Sequence, residues 1–278
     1  VEFSLQASLL RTRNFEWIVG GNIAKSTAKL KALGGEKQVI LDGNYNGMQL
    51  VNRVGESPYQ FYGYQADGVF STQAEADEAA LVNRTGRSYS AGDVRFVDQN
   101  GDHRIDDKDR VLLGSASPDY FGGFYTQLKY KGLALSAEFS YSKGNMAYNA
   151  VRQQLESMST TNNQSLSVLN RWTVDGQKTD VPRARWKDPV GNSYFSSRWI
   201  EDASYLRLKN VTLSYTFSKT VWNFFRSGTL YVTGENLLTF TDYLGMDPEF
   251  SSSYSENVQG LDYGKLMQPK TVKVGVNL

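Results

Sequence analysis

The sequence predicts an all-β chain of antiparallel strands, several of them long enough to cross a bilayer. Three observations carry this. Apolar and polar residues alternate with period two in segment after segment, the pattern of a strand with two unlike faces. Aromatic residues make up 13%, with Tyr at 17 and Phe at 14, and these side chains favour strands. The connections between segments switch between turns of a few residues and insertions of tens of residues. A soluble sandwich also alternates, so alternation alone leaves both architectures open. Segment length favours the barrel, because several segments exceed the usual 5 to 6 residues and reach the roughly 9 to 11 that a tilted membrane strand needs. Short turns at one end and long loops at the other describe an outer-membrane barrel.

The elements follow in order. Val1, Phe3, Leu5, Ala7 and Leu9 alternate with Glu2, Ser4, Gln6 and Ser8 from the first position. A strand is already under way there, so the chain reads as a fragment or processed piece of something longer. After a Thr12-Arg13-Asn14 turn, Phe15, Trp17, Val19 and Ile23 oppose Glu16, Gly20, Asn22 and Ala24. Phe124, Thr126, Leu128 and Tyr130 form one face of a later strand, Lys131-Gly132 turns the chain, and Leu133, Leu135, Ala137, Phe139 and Tyr141 continue the apolar face. Val211, Leu213, Tyr215 and Phe217 alternate with small polar residues, and after a further short turn comes Leu230-Tyr231-Val232-Thr233. Val272, Val274, Val276 and Leu278 mark the last strand. The expected strands are 1–11, 15–31, 119–131, 132–143, 203–218, 228–240 and 270–278. The long insertions are 31–118, 144–202 and 241–269.

Within the insertions, Thr72 and Glu75 stand at capping-box spacing and predict a short helix over 73–83. Leu166, Leu169 and Trp172 suggest a second helical stretch over 164–172, packed on a barrel rim. The run from Tyr59 to Tyr64 either packs inside a loop or stacks on sugar rings, and packing is the more frequent use of such a run.

Composition removes several function classes. Lys+Arg at 30 against Asp+Glu at 29 gives no global electrostatic case for nucleic acid. Mean hydropathy is -0.47, and no run approaches the roughly 18 apolar residues of a membrane-spanning helix, which leaves β-barrels open. The absence of Cys removes thiol chemistry, and His103 is the single His. No phosphate-binding glycine motif or hydrolase elbow is present. Asp188, Glu201, Asp202, Asp247 and Glu249 could pair as glycosidase carboxylates, but loop carboxylates usually form salt bridges or face solvent, and the chain reads as no enzyme.

The sharpest motif spans 98–109. Asp98, Asn100, Asp102, Asp106 and Asp109 fall at loop positions 1, 3, 5, 9 and 12, with the Arg104 carbonyl at position 7, the spacing by which a 12-residue loop wraps a hard cation. His103 replaces the usual Gly at position 6, and Asp109 replaces a bidentate Glu. The expectation is a structural Ca²⁺ that orders the loop, against an Asp/Asn-rich turn held by its own hydrogen bonds.

Several stretches together resemble one family. Ser57-Pro58 to Gly63-Tyr64, Asp67-Gly68-Val69-Phe70, Gly92-Asp93-Val94-Arg95-Phe96-Val97-Asp98 and the Asp-rich loop are similar to the C-terminal part of SusC-like TonB-dependent outer-membrane transporters of the Bacteroidetes. So are Arg198-Trp199-Ile200-Glu201-Asp202, the run from Ser204 to Tyr215, Gly234-Glu235-Asn236-Leu237-Leu238-Thr239-Phe240-Thr241, Asp247-Pro248-Glu249 and Gln268-Pro269-Lys270-Thr271. The resemblance implies that residues 1–278 form the C-terminal third of a 22-stranded transmembrane β-barrel with long extracellular loops, the cation loop 98–109 lying in the 32–118 insertion. It implies import of oligosaccharides or oligopeptides, a SusD-like surface lipoprotein as lid, and the TonB-ExbB-ExbD complex acting through N-terminal parts outside these residues. The rest of the same barrel and outer-membrane lipid would be the remaining partners, and nucleic acid is not expected. The rival readings are a soluble calcium-dependent glycan-binding β-protein and a secreted glycosidase.

Overall fold

A computed structural model describes residues 1–43, 45–218, 227–249 and 258–278. Seven strands form one sheet: β1 (Glu2–Arg11), β2 (Phe15–Ala24), β3 (Tyr120–Tyr130), β4 (Leu133–Lys143), β5 (Tyr205–Ser218), β6 (Ser227–Phe240) and β7 (Thr271–Asn277). Each pairs antiparallel with its sequence neighbour, so the sheet is an up-and-down meander. β2 stops at Ala24, short of the expected 31, because its partners run out there: Ala24 already sits opposite Glu2 on one side and Phe121 on the other. The turn between β5 and β6 falls on 219–226, outside the described residues.

The register explains the alternation. Leu10, Trp17, Leu128, Leu135, Leu213, Val232 and Val274 stand in one row across all seven strands. The next row, Ser8, Ile18, Gln127, Ser136, Thr212, Thr233 and Lys273, points to the other face. A register shift between Ser8 and Leu10 puts Leu10, in place of the expected Leu9, opposite Trp17. A second shift at Lys209 and Asn210 lets Leu206 and Leu208 share the face of Val211 and Leu213, although simple alternation would send them to opposite sides. The apolar face is bare: Leu5, Leu135, Leu213, Val232 and Val274 are all exposed. Phe217 shares that face by register but is buried, its ring lying over its partner Gly228.

Tight turns at 12–14 and 131–132 join β1 to β2 and β3 to β4 at one end. The connections 25–119, 144–204 and 241–270 all leave from the other end, beyond Ala24, Lys143 and Phe240. They fold into a layer that holds the buried core. A four-stranded sheet runs in the order Arg110–Ser115, Gln60–Tyr64, Gln49–Arg53 and Gln38–Asp42, and a three-stranded one in the order Ile200–Asp202, Met146–Asn149 and Leu261–Asp262. Met48, Leu50, Phe61, Tyr148, Phe195 and Trp199 form one cluster. Tyr64, Phe70, Val94, Phe96, Ile105 and Val190 form a second. The Tyr-rich run is therefore interior packing, with Phe61, Tyr62 and Tyr64 buried. No helix among the described residues is long and apolar enough to cross a membrane.

The predicted helix over 73–83 is α1 (Gln73–Ala79), with the Thr72 hydroxyl accepting from the Glu75 N–H. It ends early because Ala80 takes a left-handed φ of 51°. The stretch over 164–172 is only a 3₁₀ turn (Leu166–Asn170), and Leu166 and Leu169 are exposed instead of packed on a rim. Trp172 does pack, against Gly92, and its ring N–H donates to the Ser71 carbonyl. A second helix, α2 (Ala150–Glu156), follows the cap Asn149 and carries too little periodicity to be read from sequence.

Candidate functional site

The 98–109 loop leaves the short strand Val94–Phe96 and returns through the 3₁₀ turn Asp107–Asp109 into Arg110–Ser115. Its carboxylates bind its own backbone. Asp98 accepts from the N–H groups of Asn100, Gly101 and His103 at 3.3, 2.8 and 2.7 Å. Asn100 accepts from Asp102 N–H and donates its amide to the Asp102 carboxylate, and Asp102 accepts from Arg104 N–H. Asp106 accepts from Lys108 N–H, while fully buried Asp109 accepts from Gln99 and Asp106. His103 sits at φ 58°, so the sixth position has the left-handed backbone that glycine normally supplies. Arg104 pairs beside Val82 and donates to the Arg84 carbonyl, and Ile105 anchors the loop in the second core cluster. Among the described residues, no three or more Asp, Glu or His side chains gather around a common point.

Burial raises both of the shifted carboxylates of the loop, but the net shifts are opposite. Partial burial would raise Asp98, but its backbone N–H bonds outweigh that and hold its pKa below the ordinary 3.8. Burial dominates at Asp109, whose pKa is raised. Lys108 stands 3.7 Å from Asp102, an ion pair at the edge of the cluster.

The five carboxylates considered for a hydrolase site are spread over separate contacts. Asp188 accepts from the backbone N–H groups of Gly191, Asn192 and Ser193. Glu201 pairs with Arg152, and Asp202 pairs with Lys143 at 3.2 Å. Asp247 pairs with Arg207, and Glu249 with Lys209 at 2.7 Å and Arg207 at 3.1 Å. Glu201, Asp202, Asp247 and Glu249 tie separate stretches of the chain together, whereas Asp188 braces its own turn.

The ion pairs of Glu201, Asp202, Asp247 and Glu249 agree with the salt bridges expected of loop carboxylates, although the sequence named no partners, and buried Asp93 was missed altogether. Asp93 receives two guanidinium hydrogen bonds from Arg183 at 2.9 Å and one from the Asn192 amide at 3.0 Å. The ninety positions between Asp93 and Arg183 left no local spacing to reveal the pair.

A sheet with a bare apolar face, a polar opposite face and a folded layer at one end defines a segment of a transmembrane β-barrel. No family model matches the chain. Across its whole length it is 31% identical to TonB-dependent receptor P3 of Formosa agariphila and 32% identical to TonB-dependent receptor P26 of the same organism, covering 28% of each. It is 25% identical to TonB-dependent receptor SusC of Bacteroides thetaiotaomicron over 92% of the chain and 24% of that protein. Among solved structures, the RagAB peptide transporter aligns with a TM-score of 0.75 at 22% identity, covering 99% of this chain and 28% of the other. The closed-closed RagAB peptide importer aligns with a TM-score of 0.73 at 24% identity. The chain thus spans little more than a quarter of the relatives it matches. It is a C-terminal barrel segment of a SusC-like TonB-dependent receptor, a protein of the outer membrane.

Proposed function

We propose that the receptor to which this segment belongs imports large nutrients, oligosaccharides or oligopeptides, across the outer membrane with energy from the TonB complex. The observation that carries this is the two-faced sheet, matched along the whole chain to TonB-dependent receptors. The row from Leu10 to Val274 suits lipid, and the row from Ser8 to Lys273 suits a wet lumen. A soluble glycan-binding protein would have to cover the apolar face that is bare here. Residues 1–278 act as one portion of the barrel, the long connections are extracellular, and the 144–202 and 241–269 connections meet a SusD-like lipoprotein lid. The chain performs no catalysis. Uptake of fluorescently labelled oligosaccharides and oligopeptides by cells with and without TonB, and with the receptor deleted, tests the reading. Uptake indifferent to both deletions would overturn it.

The 98–109 loop is proposed as a structural Ca²⁺ loop within this machinery. What supports it is the donor order together with His103, whose positive φ gives the sixth position the backbone that such loops require. The chemistry such an ion supplies is charge neutralisation among Asp98, Asp102, Asp106 and Asp109. Calcium titration of the full receptor, read by protease resistance of the loop, tests it, and no change on titration would overturn it.

A further inference from the structure

The layer of connections encloses a cleft of about 760 Å³ between the Tyr64 strand, α2 and the segments around 160 and 187. Its lining departs from the near-neutral balance of the chain. Arg84, Arg110 and Lys187 line it, against one carboxylate, Asp188. Asp188 already accepts three backbone N–H groups and the Ser193 hydroxyl, so it has little capacity left to neutralise those cations. Arg84 and Lys187 have no ion-pair partner among the described residues, and both are exposed.

Arg110 is the more telling group. Its side chain is only 10% exposed, and its single carboxylate partner, Asp107 at 3.1 Å, is itself 78% exposed. The Nη1 of Arg110 is buried with no hydrogen-bond partner, and so is the Tyr64 hydroxyl beside it. The Arg110 guanidinium lies 4.8 Å from the centre of the Tyr64 ring, a cation–π contact. The Arg110 N–H and the Tyr64 O–H are unmatched and closed to solvent, a costly arrangement that a ligand oxygen relieves only when the Arg110 side chain shifts toward the open cleft. Guanidinium groups suit planar or tetrahedral oxyanions.

The rest of the lining identifies what carries that anion. Trp186 presents an exposed ring, and Tyr194 is held by Arg84, whose guanidinium sits 5.3 Å from the ring centre. Thr160 and Asn162 add a hydroxyl and an amide. An exposed aromatic face beside hydroxyls and amides suits a sugar ring and its hydroxyl groups.

We propose that this cleft is a binding subsite for an acidic sugar unit, its carboxylate or sulfate held by Arg110 and Arg84 with Lys187 nearby and its ring against Trp186. This rests on the import reading and narrows its cargo to anionic glycans. The test uses the full-length receptor in detergent and saturation-transfer NMR with D-glucuronate, D-glucose 6-sulfate, D-glucose and triglutamate as separate probes. At least one acidic sugar should bind and compete with the other, their ratio telling carboxylate from sulfate, with D-glucose about tenfold weaker or undetected. Arg84→Gln and Lys187→Gln lie on exposed side chains and should fold normally, and each should weaken the acidic sugars by about tenfold, the size of one lost charge-assisted hydrogen bond. Equal binding of glucose, no acidic sugar bound, triglutamate preferred to both sugars, or variants that bind as the parent does would each overturn the subsite. Uptake that is TonB-dependent but blind to cargo charge overturns the subsite and leaves import standing. Acidic-sugar binding that the variants abolish, in a receptor whose uptake ignores TonB, supports the subsite and overturns import.

Discussion

Arg207 and Asp247 form an ion pair in which both side chains are almost wholly buried, at 3% and 4% exposure. Arg207 stands on the polar face of β5, opposite Ser140 and next to the register shift, and Asp247 belongs to the connection after β6. Asp247 also accepts from the N–H groups of Glu249 and Gln268, so one carboxylate gathers three separate stretches of chain. The pair is a clasp that holds a long connection against the inner wall of the sheet.

Removing Asp247 alone leaves the buried Arg207 charge with only the part-exposed Glu249 carboxylate as a partner, whereas removing both members leaves no such charge behind. Asp247→Asn should destabilise the receptor by about 1 to 3 kcal/mol, because Glu249 still pairs with Arg207, while the double variant Arg207→Met with Asp247→Leu should cost less. Urea unfolding in lipid measures both. Equal costs would mean that the pair contributes through its shape alone.

The same residue sets an acid limit. Burial alone would raise Asp247, but the Arg207 hydrogen bond and the two backbone N–H groups override it and lower its pKa from 3.8. A carboxylate lowered on folding contributes stability that is complete above 3.8 and is lost as the pH falls through the folded value. Protease access to 241–249 should therefore rise only below about pH 4, and Asp247→Asn should show no such acid step. A step that persists in the variant belongs to another group.

The bare row of the sheet gives a sharp contrast between neighbours. Leu213 is exposed on the apolar face, while Ser214 points to the polar one. Leu213→Arg should cost about 2 to 4 kcal/mol if it lies near the bilayer midplane, and Ser214→Arg much less. Equal costs in lipid would reverse the assignment of faces.

The strands were legible because a lipid-facing row must be apolar at every second position, and that rule leaves its mark in local sequence. It failed where the backbone slips a residue: Leu9 was expected in the row that Leu10 occupies, and the shift at Lys209 hid the common face of Leu208 and Val211. The layer of connections was legible only in pieces, such as the Thr72 cap, since its core joins residues as distant as Phe61 and Phe195. The donor order of 98–109 could be read, because a loop's ligands are local. The clasp, the Asp93 cluster and the cationic cleft could not, because charge partners set forty to ninety positions apart carry no spacing signal.

The cation loop gives the last prediction. Asp98, Asp102, Asp106 and Asp109 crowd one short loop, and its own N–H groups relieve only part of the mutual repulsion. Ca²⁺, with oxygen ligands at about 2.3 to 2.6 Å and a flexible shell, could be reached by turning Asp102 and Asp106 while Asp98 keeps its backbone bonds. Terbium luminescence excited through nearby aromatic rings should rise on titrating the full receptor, and calcium should reverse it. Asp98→Ala and Asp102→Ala should abolish that signal and leave the loop equally protease-sensitive with and without chelator. His103→Gly should leave the stability of the loop within about 1 kcal/mol of the parent, since relief of the Cβ at a left-handed position is offset by loss of the ring's 3.0 Å hydrogen bond to the Ala79 carbonyl, and no donor oxygen is touched. If terbium never binds and chelator leaves the parent loop unchanged, the loop is an Asp/Asn turn held by hydrogen bonds and Lys108, and the cation reading fails.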